Sequence, residues 1–145
     1  MTETKMLVND YLKELCVEYK IKVIWLEGLS PITPPCASYQ TGKQSIIIMN
    51  PNWHNKNDFI FQLAHEISHI IRGDESDLCF YNTSYRNKAS IEFQTNLEAI
   101  KLLIPFYCKE TKKENANVYQ FIDSFGIPTH LSEVAQSQMI KYYEV

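Results

Sequence analysis

The sequence has no C-x-x-C pair, only four glycines, no long apolar run and no surplus of positive charge, and each absence removes a class of function. Cys16, Cys36, Cys79 and Cys108 are widely scattered, and none forms a C-x-x-C pair. In a reducing compartment they are expected as free thiols packing like small hydrophobes; two disulfides are the alternative if the chain is exported. No stretch reaches the roughly 18 apolar residues of a membrane span. The opening MTETKMLVND is polar and lacks the apolar core of a secretory signal, so a cytoplasmic protein is expected, without membrane partners. Net charge is -3, leaving no overall positive field to hold phosphates, and direct nucleic-acid binding is not expected. Trp25, Trp53 and nine tyrosines are not interleaved with basic residues, so they read as packing rather than as a base-stacking platform.

What is present suits one folded domain over residues 1–145. Hydrophobic residues make up 45% and charged residues 21%, an ordinary globular balance. Leu7, Tyr11, Leu15 and Tyr19 lie four apart and predict an N-terminal helix with one apolar stripe. Ile21–Leu26 is rich in β-branched and aromatic residues and predicts a strand. Three prolines and a glycine between Gly28 and Pro35 force an irregular path. A short strand near Ala37–Gln40, a turn at Thr41-Gly42-Lys43 and a buried strand ending at Met49 follow. A helix is expected from Asn57 or Asp58 to Ile71, with an Asn/Asp cap before it and Gly73 after it. Residues 72–88 read as a loop, and a second strong helix from about Lys88 is expected to stop at Pro105. Two further helices, near 115–125 and 131–143, are separated by Gly126-Ile127-Pro128. Helix, small sheet, then a run of helices is an α+β order.

The chemistry lies in His65-Glu66-Ile67-Ser68-His69, an H-E-x-x-H motif. Residues four apart on a helix stand one above the other, so two imidazoles can reach one ion. Glu66, beside them, is placed to reach a water rather than the metal. At about 100° per residue, Phe59, Ile60, Leu63, Ile67, Ile70 and Ile71 gather on one side of this helix. Gln62, His65, Glu66 and His69 gather on the other. The bland alternative is a solvated polar face carrying two surface histidines.

A catalytic zinc normally keeps three protein ligands and one open position. The second strong helix offers Glu92 and Glu98. Glu92 shares a stripe with Asn96, Ala99 and Leu103 that reads as buried, and a buried carboxylate needs a partner. Glu98 points away, beside Gln94 and Lys101, on what reads as the solvated face. Glu92 is therefore the expected third ligand. Asn96, one turn on, is a candidate to accept a hydrogen bond from the non-ligating N–H of a zinc-bound histidine, with packing against backbone as the alternative.

HEISHIIRGD followed by IEFQTNLEAIKLLIP resembles the ImmA/IrrE family of metallopeptidases of phages, mobile elements and bacterial stress pathways. The family's second helix runs like E-x-[EQ]-A-N-x-F-A-x-x-L-L-x-P, matched here at Glu92, Gln94, Asn96, Ala99, Leu102, Leu103 and Pro105. Thr95 stands where Ala is usual and Glu98 where Phe is usual. The resemblance covers roughly residues 5–105, leaving 106–145 as a C-terminal helical extension matched only by position. It implies a zincin-like fold with a small antiparallel or mixed sheet beside the active-site helix, a zinc cofactor, and often a helix-turn-helix repressor as protein substrate. The Glu92–Asn96 pairing also resembles the wider H-E-x-x-H peptidases whose glutamate ligand sits on a following helix.

The expected activity is zinc-assisted hydrolysis of a peptide bond, with Glu66 as general base and His65, His69 and Glu92 as ligands. Tyr81, Tyr85, His54 and His130 are all available as donors to a developing oxyanion, and nothing in the sequence selects one. The strand at 45–49 offers β-augmentation to a substrate if its edge is open; a fully paired core strand is the alternative. Two rivals come from other classes. One is a zinc-site module that sequesters a repressor without cutting it; the other is a small-molecule amidase, disfavoured because no cysteine lies in a ligand context.

Overall fold

The computed structural model describes residues 3–39, 42–73 and 85–144, with side chains in the last stretch from residue 89 onward. Helix α1 spans Glu3–Glu18. Its buried stripe is Val8, Leu12, Leu15 and Cys16, whereas Leu7 is 51% exposed and Tyr19 is 42% exposed. The helix is where the periodicity put it, but turned by about one residue. Val8 and Leu12 face the core, and Tyr11 sits at the margin with its ring 5.3 Å from that of Phe106.

Strands β1 (Ile21–Trp25), β2 (Cys36–Ser38) and β3 (Ser45–Met49) form a mixed sheet in the order β1-β3-β2. β1 runs parallel to β3, pairing Ile21 with Ser45 and Trp25 with Met49, and β2 runs antiparallel to it, pairing Ala37 with Ile47. β3 is therefore paired on both sides, and augmentation at residues 45–49 is excluded. Ser45, Ile47 and Met49 are buried while Ile46 and Ile48 between them are less so, the alternation of a sheet with one face packed on helices. The turn expected at Thr41-Gly42-Lys43 lies partly outside the described residues. Cys16, Cys36 and Cys108 are free thiols, and Cys79 lies outside the described residues.

Helix α2 (Phe59–Ile71) follows a 3-10 turn at Lys56–Asp58. The side-chain cap, before the 3-10 turn, is Asn55: its Oδ1 accepts from the Asn57 N–H at 3.1 Å. Asp58 is engaged elsewhere, accepting from Trp53 Nε1–H at 2.9 Å. Gly73 ends the helix at a φ of 77°, as expected of a left-handed cap.

Helix α3 (Tyr85–Cys108) starts within the expected loop and runs through Pro105 instead of stopping there. A proline inside a helix forfeits one hydrogen bond and costs about 3 kcal/mol. Set against that, Ile104, Tyr107 and Cys108 on this last stretch are all buried, and the Lys109 N–H still donates to Pro105 O at 3.0 Å.

Helices α4 (Val118–Phe125) and α5 (Ser132–Tyr143) are fastened to α3 by tyrosines. Tyr107 donates to Gln120 Oε1 at 2.7 Å and accepts from the Asn117 N–H at 3.0 Å, while Tyr143 donates to Thr111 O at 2.6 Å. Phe121 and Phe125 are among the largest fully buried side chains, so α4 belongs to the same apolar cluster as Val8, Ile47 and Leu103. Gly126 closes α4 at a φ of 68°, and a Cβ there would lie 2.0 Å from Asn57 O. The end of α4 thus lies directly on the turn that leads into α2. Among the described residues, no helix is long and apolar enough to cross a membrane.

Candidate metal centre

α2 delivers His65, Glu66 and His69 from one turn of helix, and α3 packs across it. The face that the sequence left open as a solvated surface is covered: Glu66 is 6% exposed and His69 5% exposed. Across from them, the Glu92 carboxylate spans both imidazoles. Its Oε2 lies 3.2 Å from His65 Nε2 and its Oε1 3.1 Å from His69 Nε2. Glu92 is not as buried as its stripe implied, since its side chain is 40% exposed at the mouth of the site. Burial alone would raise its carboxyl pKa, but hydrogen bonds and charge attraction from His65 and His69 outweigh this and hold it well below the usual carboxylate range. Glu98 lies away from the site and pairs with Lys101 at 3.7 Å.

The donor set fits a divalent cation. One atom from each of His65, His69 and Glu92 lies within 4.8 Å of the other two. Two ligands at ordinary zinc distances and a tetrahedral angle stand about 3.3 Å apart, and both histidine–carboxylate separations are close to that. Both imidazoles present Nε2 to the Glu92 carboxylate, each to a different oxygen, so the three side chains converge on one place where an ion could be held.

The backs of the two rings differ. Behind His69, Thr95 is fully buried and its hydroxyl oxygen lies 3.4 Å from Nδ1. That hydroxyl donates to Ile91 O at 2.7 Å and accepts from Arg72 Nη1 at 3.1 Å. Behind His65, Nδ1 is buried with no hydrogen-bond partner among the described residues, and so is Oε1 of Gln62, one turn earlier on α2. Asn96 lines the site, but no hydrogen bond joins it to either histidine among the described residues. Reasoning from the sequence missed Thr95. The available signal was its departure from the related helix pattern, three residues beyond the candidate ligand.

The three candidate ligands and Glu66 line a cleft of about 730 Å³. Pro34, Pro35 and Trp53 contribute to its lining, and so do Ile122, Asp123 and His130 from the C-terminal segment. Of the candidate oxyanion donors, His130 lines the cleft, whereas His54 stacks on Trp53 with ring centroids 4.5 Å apart and is not part of the lining. Tyr81 and the side chain of Tyr85 lie outside the described residues. The arrangement can hold a metal on three protein donors, with a buried carboxylate beside it and an accessible volume above it.

Residues 29–119 match the family model of the IrrE N-terminal-like domain, Peptidase_M78. The chain belongs to this family. Membership indicates a metallopeptidase-type function, and the matched stretch contains all three candidate ligands and Glu66. No curated protein and no solved structure matches the chain at a significant level.

Proposed function

We propose that this Peptidase_M78 chain is a zinc-dependent endopeptidase of the cytoplasm that cuts a protein substrate, a helix-turn-helix repressor of a phage or mobile element. The observation that carries the reading is the convergence of two imidazoles and one carboxylate at a cleft large enough for a stretch of peptide. His65, His69 and Glu92 are the ligands, and a His₂Glu set is one that catalytic zinc takes. Bound there, zinc would supply Lewis-acid polarisation of the scissile carbonyl and would acidify a water.

The rest falls to this chain's own side chains. Glu66 is buried in the cleft beside His65, where a carboxylate can take the proton of the attacking water and return it to the departing amine. His130, from the C-terminal segment, is the candidate nearest in kind to a donor for the developing oxyanion. Asn96, one turn beyond Glu92 and lining the cleft, has an amide available to a bound peptide backbone or to a ligand histidine. The C-terminal segment therefore shapes the substrate cleft.

Metal content of purified wild type, His69→Ala and Glu92→Gln tests the centre. About one zinc per wild-type chain, reduced in both variants, supports it; no metal after zinc reconstitution of the wild type overturns it. Incubation of a candidate repressor with wild type and with Glu66→Gln then tests the activity. Cleavage by wild type alone supports a peptidase. Repressor inactivation by both proteins, without cleavage, would make the chain a sequestering module.

A further inference from the structure

The contacts behind His69 determine more than its burial. A threonine hydroxyl has one hydrogen and two lone pairs. Thr95 gives that hydrogen to Ile91 O at 2.7 Å, the shortest contact it makes, and one lone pair receives Arg72 Nη1–H at 3.1 Å. Arg72 also donates to Ile91 O at 3.0 Å, so the hydroxyl is held from both sides. Toward His69 Nδ1, at 3.4 Å, only a lone pair remains, and there Thr95 can only accept. An imidazole that donates through Nδ1 offers Nε2 as its ligand atom, and Nε2 is the atom facing Glu92.

We propose that Thr95 is a positioning residue of the metal centre. Anchored by Ile91 and Arg72, its hydroxyl oxygen accepts Nδ1–H of His69, keeps that ring turned with Nε2 toward Glu92, and so raises the affinity for zinc. The inference rests on reading the centre as a zinc site. It concerns the position at which the related helix pattern carries Ala, a residue that could not make the contact.

The test compares zinc dissociation constants, by chelator competition, for wild type, Thr95→Val and Thr95→Ser. Valine keeps the shape and removes the oxygen; serine keeps the oxygen. Thr95→Val is expected to weaken zinc binding about 10- to 100-fold, the usual loss when a metal-bound histidine loses its partner, and Thr95→Ser to restore affinity to within about threefold of wild type. Nitrogen-15 spectra of zinc-loaded wild type supply a readout that needs no variant: the Nδ1–H of His69 should be present and protected from solvent exchange. Wild-type affinity in Thr95→Val overturns the proposal. Equal losses in the valine and serine variants do so too, because they would assign the effect to packing. A His69 Nδ1–H that exchanges freely in the wild type overturns it even if a variant fails to fold. Wild type that binds no zinc at all would instead overturn the reading of the site.

Discussion

His65 and His69 sit one turn apart on the same helix and touch the same carboxylate at nearly the same distance, yet they are held differently. His69 backs onto a hydroxyl that is itself tied to a carbonyl and a guanidinium. His65 has a buried Nδ1 without a partner among the described residues, and its ring is braced by aromatic neighbours, Phe61 at 6.0 Å and His69 at 4.8 Å between centroids. A motif that repeats a residue does not repeat its environment. The H-E-x-x-H spacing puts both Nε2 atoms on one side of α2, but what orients each ring comes from another element, and among the described residues α3 supplies a polar anchor behind only one of them.

Substitutions can break or sharpen this asymmetry. The largest effect is expected from Glu92→Gln, which removes the charge that both histidines share. Zinc should fall well below one per chain, while Thr95 still stands behind His69 alone of the two imidazoles; elemental analysis reads the outcome. Retention of zinc in that variant would show that the histidines hold the metal without Glu92.

Next comes Glu66→Gln, expected to lower peptide hydrolysis about 10²- to 10⁴-fold while zinc content and both histidine environments stay as they are. Loss of zinc from this variant would move Glu66 into the ligand set.

Gly126→Ala leaves the α2–α3 contact untouched and strikes the C-terminal lining of the cleft. The new Cβ would overlap Asn57 O at 2.0 Å on a backbone with φ near 68°, so a loss of about 3 kcal/mol or more is expected in denaturant unfolding. An unfolding midpoint equal to wild type would mean that α4 does not rest on the turn before α2.

The smallest effect is expected from Gln62→Leu. Its Oε1 is already buried without a partner among the described residues, so replacing it should change stability by less than about 1 kcal/mol and leave zinc affinity alone. A clear fall in zinc affinity would sharpen the comparison the other way, by showing that Gln62 Oε1 turns to serve the Nδ1–H of His65 once metal is bound.

Much of this was legible in the chain itself. Apolar periodicity located α1 and α2, the break at Gly126-Ile127-Pro128 separated α4 from α5, β-branched runs located β1 and β3, and the spacing 65, 66, 69 named three polar residues of the candidate site. Glu92 was recoverable because a carboxylate on an apolar stripe is anomalous unless it meets a partner. The misses share a cause. The facing of α1 and the passage of α3 through Pro105 depend on neighbours far along the chain. Periodicity finds an apolar face to within about a residue, but which side chain is buried is settled by what packs against it. A proline ends a helix by default, and burial beyond it reverses that default.

By itself, then, the sequence determined the element order and put two histidines and a glutamate on one face of a helix, because helical spacing is a local property of the backbone. Only the tertiary structure decided that Glu92 straddles both imidazoles, that Thr95 and Arg72 back one of them, and that residues 122–130 help line the cleft. The contacts of Glu92 and Thr95 with α2 and Arg72 join residues 23 to 27 positions apart, and short-range hydrogen-bond geometry between such partners exists only once the core has brought their helices together.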